Sequence, residues 1–316
     1  MELSPHKMSV IMCTYNRPEF LERSIESILS QTFEDFEFVL VNNGSTDSSF
    51  ELCEYYQAKD KRIKLINIPI NEGAAKGRNR GLMEASGEYI TFVDDDDYCE
   101  PRMLQVLWEL SQTYDADIAL CGSWNNINGE LEPYFIFDDT LVLNKVQALD
   151  ELLLRKRYNV APPTKLFRKK LFDGVTFKEN VLVDDIHVIY KVFANADIVV
   201  ANGEPLYSFR KHPNNMTHFI QSNRPSPEII KEYLSAFKER TAYLSEKVRP
   251  ISERAKYSEL SYMLSMCNRI KNFEEIDYSK HYNEMLNEIS DNYQFLINCP
   301  YTEEEEIKLL NTLMIR

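Results

Sequence analysis

The sequence predicts an α/β protein: a doubly wound, mostly parallel sheet with helices on both faces, followed by a helical region. Three observations carry this. Apolar strand-length runs alternate with helix-period segments four times within roughly the first hundred residues. Each run stops at a cluster of polar, turn-forming residues. From about residue 226 onward the pattern is helical and poor in glycine.

Residues 8–13 are a short apolar strand, broken by Thr14-Tyr15-Asn16-Arg17-Pro18. The helix that follows places Phe20, Leu21, Ile25, Ile28 and Leu29 on one face. Residues 37–41 form a second strand, ending in Asn42-Asn43-Gly44-Ser45-Thr46-Asp47, which tolerate left-handed backbone. A helix over 47–58 and a strand over 62–68 come next, and the stretch from Asn71 to Gly81 opens a third helix. The strand at 88–93 ends in four consecutive aspartates, Asp94, Asp95, Asp96 and Asp97. Pro101 then reads as the first position of a helix marked by Met103, Leu104, Leu107 and Leu110.

After another strand at 117–122 the pattern changes. Residues 123–140 are polar and aromatic without a clear period, and 144–154 read as an amphipathic helix. Ala161-Pro162-Pro163-Thr164 is a loop leading into Lys165-Leu166-Phe167-Arg168. Residues 177–185 precede a helix with Val188, Ile189, Val192 and Phe193 on its apolar side. Residues 198–200 and 206–209 read as strands, 210–218 as a polar loop, and 226–316 as four helices. Ser222 to Pro227 is the best boundary. It divides the chain into 1–222, itself made of halves 1–122 and 123–222, and a helical region 223–316.

The bulk properties narrow the function classes. The chain has 316 residues, 44% of them hydrophobic, enough for a real core. Its net charge of −14 argues against nucleic acid as a partner. Two basic triplets, Arg155-Lys156-Arg157 and Arg168-Lys169-Lys170, leave room for local contact with an anionic ligand or for peripheral contact with the inner face of a membrane. The cysteines, Cys13, Cys53, Cys99, Cys121, Cys267 and Cys299, show no metal-ligand spacing and read as reduced, mostly buried thiols of a cytoplasmic protein. No signal peptide and no membrane-spanning run is visible.

In a parallel sheet, ligands bind at the carboxyl ends of the strands. Here those ends are 14–17, 42–47, 71–77 and 94–97, all polar, and they should converge on one crevice. A nucleotide is the default ligand, but neither G-x-G-x-x-G after the first strand nor a P-loop occurs. Four carboxylates at the end of a buried strand repel one another and are costly to desolvate. A divalent cation that shares phosphate oxygens relieves both problems. Taken by itself an acidic run reads as a solvated loop, and Asp184-Asp185 as a helix N-cap; the strand before the aspartates and the helix after them favour a metal site.

These residues resemble a known family. Ser9-Val10-Ile11-Met12-Cys13-Thr14-Tyr15-Asn16-Arg17, Ser30-Gln31-Thr32, Gly44-Ser45-Thr46-Asp47, Asn71-x-Gly73 with Gly77-Arg78-Asn79-x-Gly81, and the four aspartates are similar to the successive signatures of family 2 glycosyltransferases of the GT-A fold. Lys165-Leu166-Phe167-Arg168, Phe177-x-Glu179, Asp184-Asp185 and Leu206-Tyr207-x-Phe209-Arg210 resemble the second half of bacterial members that build capsular, exopolysaccharide or teichoic-acid glycans. The resemblance covers about residues 8–218.

It implies an inverting, metal-dependent transfer of a sugar from a nucleotide sugar, UDP-linked by first choice, to a saccharide or lipid-linked saccharide. Thr14, Tyr15 and Arg17 would hold the base and ribose. Asp94 and Asp96 match the D-x-D motif: Asp96 would bind Mn²⁺ or Mg²⁺, and Asp94 or Asp95 the ribose, while Asp97 would only cap the next helix. Arg78 would lie over the nucleotide or its phosphates. Asp185 matches the catalytic base, although Asp184 stands where a glutamate is usual. Arg210, His212 and Thr217 match a loop that closes on the diphosphate, with His212 or His218 alternatively a metal ligand. The second strand departs from the family's Asp-Asp-Gly-Ser: here it is Asn42-Asn43-Gly44-Ser45, so Asn43 would meet the uracil N3–H through its amide oxygen. A nucleotidyltransferase making nucleotide sugars, or a non-catalytic glycan- or nucleotide-binding relative, are the competing readings.

Overall fold

The computed structural model describes residues 6–212, 215, 225–271, 273 and 276–314. It divides into two compact units, Met1–His212 and Pro213–Arg316.

The first unit is built on a ten-stranded sheet with the path β3-β2-β1-β4-β9-β6-β10-β5. Strands β1 (Met8–Thr14), β2 (Phe36–Asn43), β3 (Ile63–Ile68) and β4 (Tyr89–Phe92) are parallel, as the alternating pattern predicts. Their carboxyl ends therefore lie along one edge. The mixed half begins with β9 (Lys165–Arg168), which runs antiparallel to β4 with Thr91 opposite Leu166.

Helices cover both faces. Alternate residues of the central strands, Met8, Val10 and Met12 with Phe36, Phe38 and Leu40, pack against α1 (Pro18–Leu29), α2 (Ser49–Lys59) and α4 (Met103–Thr113). The opposite face receives α3 (Ala74–Glu84). This helix approaches closely because Gly77 and Gly81 face β1: a Cβ on Gly77 would stand 2.2 Å from Cys13 Sγ, and one on Gly81 2.5 Å from Ile11 Cγ2.

The structure corrects several sequence expectations. Residues 123–140 are not irregular. Strand β6 runs through Ile118–Ile127 and turns back into β7 (Glu130–Phe135), and β8 (Thr140–Asn144) pairs with β10. The β6–β7 turn is Asn128-Gly129, both at positive φ. The two short strands expected at 198–200 and 206–209 are one strand, β10 (Ile198–Lys211), whose pairing with β6 shifts register around Pro205. Pro101 is not the start of α4, which begins at Met103, because Tyr98–Cys99 forms a short strand β5 against β10 first. The amphipathic helix α5 (Lys145–Leu154) is closed by a reciprocal Asn144–Gln147 capping box. Downstream of Asp185 a 3-10 turn precedes the short helix α6 (Ile189–Asn195).

In the second unit, five α-helices rather than four are found among the described residues: α7 (Pro227–Lys247), α8 (Ser252–Ile270), α9 (Ser279–Asp291), α10 (Tyr293–Asn298) and α11 (Glu304–Met314). Their core is aliphatic and methionine-rich, with Leu260, Leu264, Met285, Ile289 and Leu310 fully enclosed. Among the described residues no helix is long and apolar enough to cross a membrane, and all six cysteines are free thiols.

Candidate active site

The carboxyl ends of β1 and β2 are joined side chain to backbone. Asn16, at φ 51°, receives an N–H bond from Thr46 at 2.8 Å, and its own N–H reaches Ser45 Oγ at 3.1 Å. The Arg17 N–H donates to Ser49 Oγ at 3.0 Å. The turns 14–17 and 42–47 are thus one wall of a crevice. Asn43 is buried at the end of β2 and ties in the third segment: its amide donates to Asn71 Oδ1 and to the Gly73 carbonyl, each at 3.1 Å, and its oxygen accepts from the Glu72 N–H at 3.2 Å. Asn42 does the same one position earlier, donating to Asn67 Oδ1 at 2.8 Å. An aspartate in either place could not donate. The departure from Asp-Asp therefore has a structural use here.

The four aspartates take four different partners. Asp94 Oδ1 accepts from Arg78 Nη2 at 3.0 Å, and the Asp94 N–H donates to the Tyr207 hydroxyl at 3.1 Å. Asp95 faces Thr14 and lies 3.8 Å from Arg17 Nε. Asp96 is held by the Arg17 guanidinium and lies 2.9 Å from His212 Nε2. Asp97 accepts from the Tyr207 hydroxyl at 2.8 Å and from the Arg210 N–H at 2.7 Å. Asp97 is therefore not a helix cap: it clamps the acidic turn to β10, and the residue before α4 makes no side-chain cap. The turn's own carbonyls at Asp95 and Asp97 accept from Ser24 Oγ on α1.

Electrostatics separate these carboxyls. Burial is the largest effect, followed by the Asp96 charge, and together they push Asp95 up to about 7. Burial also raises Asp94, against the pull of Arg78, and raises Asp97 well above the usual range. The turn holds more negative charge than Arg17 and Arg78 offset.

That excess is the test of whether a metal fits. Among the described residues no three His, Cys, Asp or Glu side chains form a ready cage. Asp96 with His212 supplies one hard oxygen donor and one nitrogen. A Mg²⁺- or Mn²⁺-like ion that completes its shell with diphosphate oxygens and water needs little more from the protein. Asp96, whose Oδ2 also meets Arg17, and His212 are the side chains that would hold such an ion.

Arg78 links this turn to the segment before α6. Its Nη1 donates to both Asp184 oxygens, at 2.7 and 2.8 Å, and it lies over the Phe177 ring at 5.8 Å to the centroid. Asp184 therefore does not cap a helix. Asp185, next to it, is raised to about 7, first by burial and then by the Asp184 charge, with Arg78 opposing. Its Oδ1 is buried without a hydrogen-bond partner among the described residues. A carboxyl raised to about 7 with one unpartnered oxygen is suited to take a proton from a hydroxyl that reaches it.

The structure thus brings Thr14, Arg17, Arg78, Asp94, Asp95, Asp96, His212 and, through Arg78 and Asp184, Asp185 to one end of the sheet. Tyr15 is 40% exposed at the rim. The Arg210 guanidinium lies 4.6 Å from the Phe20 ring centroid, and His212 packs on the same ring at 4.5 Å. Thr217 and His218 lie outside the described residues. The basic triplets are partly used internally: Arg168 and Lys170 pair with Asp117, and Arg157 with Glu151. The sequence reading placed Tyr207 in a family-like motif but gave it no role; it joins Asp94 and Asp97 from about 110 residues away. The same reading missed Asp184 as the partner of Arg78, and Asn16 as a bridge.

Residues 9–176 match the family described as Glycosyl transferase family 2. The chain belongs to that family. It is a glycosyltransferase, and GlyG of Streptococcus pneumoniae serotype 4, a curated glycosyltransferase, is 30% identical to it over 217 residues, 66% of this chain and 72% of GlyG. Among solved structures, S. aureus TarS residues 1–349 in complex with UDP-GlcNAc aligns with a TM-score of 0.71 at 22% identity, covering 98% of this chain and 87% of that one. A Pyrobaculum calidifontis mannosyltransferase in complex with GDP-Man and Mn²⁺ aligns with a TM-score of 0.52 at 14% identity, covering 99% and 89%. At these identities both speak to the fold, which is the GT-A fold with a C-terminal helical region.

Proposed function

We propose that this glycosyltransferase moves a sugar from a UDP-sugar to a hydroxyl of a saccharide or lipid-linked saccharide, with inversion and with a divalent cation. The observation that carries the reading is Asp185, a carboxyl raised to about 7 with an unpartnered oxygen, tied through Asp184 and Arg78 to the acidic turn. The UDP-GlcNAc complex of TarS supports the donor class, and the Mn²⁺ complex of the mannosyltransferase supports the cation. Peripheral contact with the inner membrane face is part of the proposal where the acceptor is lipid-linked.

In this reading Thr14, Tyr15, Asn43 and Arg17 line the base and ribose, and Asp94 or Asp95 takes the ribose hydroxyls. Asp96 would hold the cation, which supplies charge neutralisation at the departing diphosphate. Arg210, His212 and Thr217 would close over that diphosphate. Asp185 accepts the proton of the acceptor hydroxyl as its oxygen attacks the anomeric carbon. The bond from that carbon to the diphosphate oxygen breaks on the opposite side. The nucleoside diphosphate leaves with the electron pair, and the product anomer is inverted.

The test is a panel of UDP-, GDP- and dTDP-sugars with Mn²⁺, using Asp96→Asn and Asp185→Asn as controls and NMR of the product anomer. Transfer from UDP-sugars that both substitutions abolish is the expected result. Full transfer by Asp185→Asn, or a product with retained configuration, would sink the base assignment.

A further inference from the structure

The Arg17 guanidinium lies against both side chains that would hold a cation. Its Nη1 donates to Asp96 Oδ2 and stands 3.5 Å from His212 Nε2, while Oδ2 and Nε2 are themselves 2.9 Å apart. Two neighbouring ligands of a six-coordinate ion with bonds of about 2.1 Å stand about 3 Å apart. Asp96 Oδ2 and His212 Nε2 thus have the spacing of such a pair. One nitrogen of Arg17 touches the first and faces the second, so a single positive charge already serves the oxygen that an ion held by the pair would need.

The contact is enclosed. The side chains of Asp96 and His212 are each 10% exposed and that of Arg17 20%. A charge-assisted hydrogen bond in such a setting is strong, and breaking it leaves a nearly buried carboxylate in need of another cation. The backbone of Arg17 is fixed. Its N–H donates to Ser49 Oγ at 3.0 Å, and its carbonyl accepts from the N–H groups of Phe20 and Leu21 at 3.2 and 3.1 Å. His212 is braced as well, on the Phe20 ring at 4.5 Å. An exchange of partners at Asp96 therefore falls to the Arg17 side chain.

We propose that Arg17 and the divalent cation compete for Asp96 Oδ2, and that the nucleotide decides the competition: its ribose and phosphate oxygens draw the guanidinium off Asp96 as the cation goes on. Arg17 is thereby a positioning residue that couples the two ligands. A group that must be displaced weakens the binding of the cation alone, and a second ligand that takes up the displaced group removes that penalty. By reciprocity the cation tightens the nucleotide by the same factor. The proposal rests on Asp96 holding the cation and on Arg17 facing the nucleotide.

The experiment titrates Mn²⁺ into the wild-type chain, Arg17→Gln, Arg23→Gln and Asp96→Asn, each with and without saturating UDP. Electron paramagnetic resonance reads the free Mn²⁺, corrected for Mn²⁺ held by UDP in solution. Without UDP, Arg17→Gln is expected to bind Mn²⁺ about tenfold or more tightly than wild type, because no guanidinium has to leave. With UDP the two should agree within about threefold, so that the tightening UDP confers is smaller in the variant. Arg23, further along α1 with its guanidinium 3.8 Å from the Tyr98 ring centroid, is the control for charge alone. A gain in Arg23→Gln equal to that in Arg17→Gln marks a general electrostatic effect and overturns the proposal. Where Arg17→Gln does not fold, Arg17→Met, which keeps the apolar stem, decides the same point. Equal Mn²⁺ affinity of wild type and the folded Arg17 variant without UDP, beside a loss of binding in Asp96→Asn, overturns this proposal alone. Mn²⁺ binding that Asp96→Asn leaves unchanged with UDP present overturns the cation assignment and this proposal with it.

Discussion

Arg78 and Asp184 stand 106 residues apart and meet with Nη1 at 2.7 and 2.8 Å from the two carboxylate oxygens, while Nη2 of the same guanidinium holds Asp94 at 3.0 Å. One side chain thereby sets the distance between the acidic turn of the parallel half and the Asp184-Asp185 segment of the mixed half.

Arg78→Ala should accordingly act on both stability and activity. Asp184 is buried and would be left without its cation, at about 3–5 kcal/mol for a buried pair broken from one side. Urea unfolding should show the loss, and transfer activity should fall at least about tenfold. Arg78→Lys, which cannot span two carboxylates with a fork, should recover only part of either. Unchanged stability in Arg78→Ala would remove the linking role.

Activity should depend on Asp185 being ionised. Its carboxyl is raised to about 7, so kcat should fall about tenfold per unit as pH drops below that value, and Asp185→Asn should be inactive across the range. Stability should run the other way. The folded-state pKa lies above the unfolded one, so between about 4 and 7 the native chain binds more protons and is destabilised as pH rises. Asp185→Asn should therefore be more stable than wild type above pH 7, by up to about 4 kcal/mol, and no different below pH 4. Thermal melts at pH 5 and pH 8 check this.

Tyr207→Phe removes one hydroxyl that serves two partners: it donates to Asp97 and accepts from the Asp94 N–H. Both partners are left short in a buried setting, a loss of about 2–4 kcal/mol. Tyr207→Phe combined with Asp97→Asn should cost less than the sum of the two changes, because the second loss is already incurred. Strict additivity in urea titrations would count against the clamp.

Asn43 carries two predictions with opposite targets. Asn43→Asp puts carboxylate oxygens against Asn71 Oδ1 and the Gly73 carbonyl and should lower stability by about 1–3 kcal/mol. Asn43→Ala should raise KM for the nucleotide sugar. A KM and nucleotide preference that Asn43→Ala leaves unchanged would confine Asn43 to holding the 71–73 loop.

The parallel half was legible residue by residue because each element is encoded locally. Period-2 apolar runs and period-3.6 helices follow one another, separated by turn residues, and in a right-handed crossover unit little else is needed to place them. The mixed half was not. Asn128-Gly129 is a two-residue hairpin signal that went unread because β7, the strand that follows it, is polar and exposed and shows no apolar run. Strand β10 was split in two by Asn202-Gly203-Glu204-Pro205, turn-like residues that the sheet absorbs in a register shift.

The division runs through the site itself. The sequence alone determined which residues end the strands, because strand ends and their polar clusters are local facts, and the family resemblance then named Arg17, Arg78, Asp94, Asp96 and Asp185. Only the tertiary structure decided what each of them touches. Four adjacent aspartates have identical local chemistry, and what tells them apart is Arg78, Arg17, His212 and Tyr207, which arrive from distant segments. The same holds for Asp185, whose rise to about 7 comes from burial and from charges brought beside it by folding. A pKa of that kind belongs to an environment, and the environment exists only once the chain has folded.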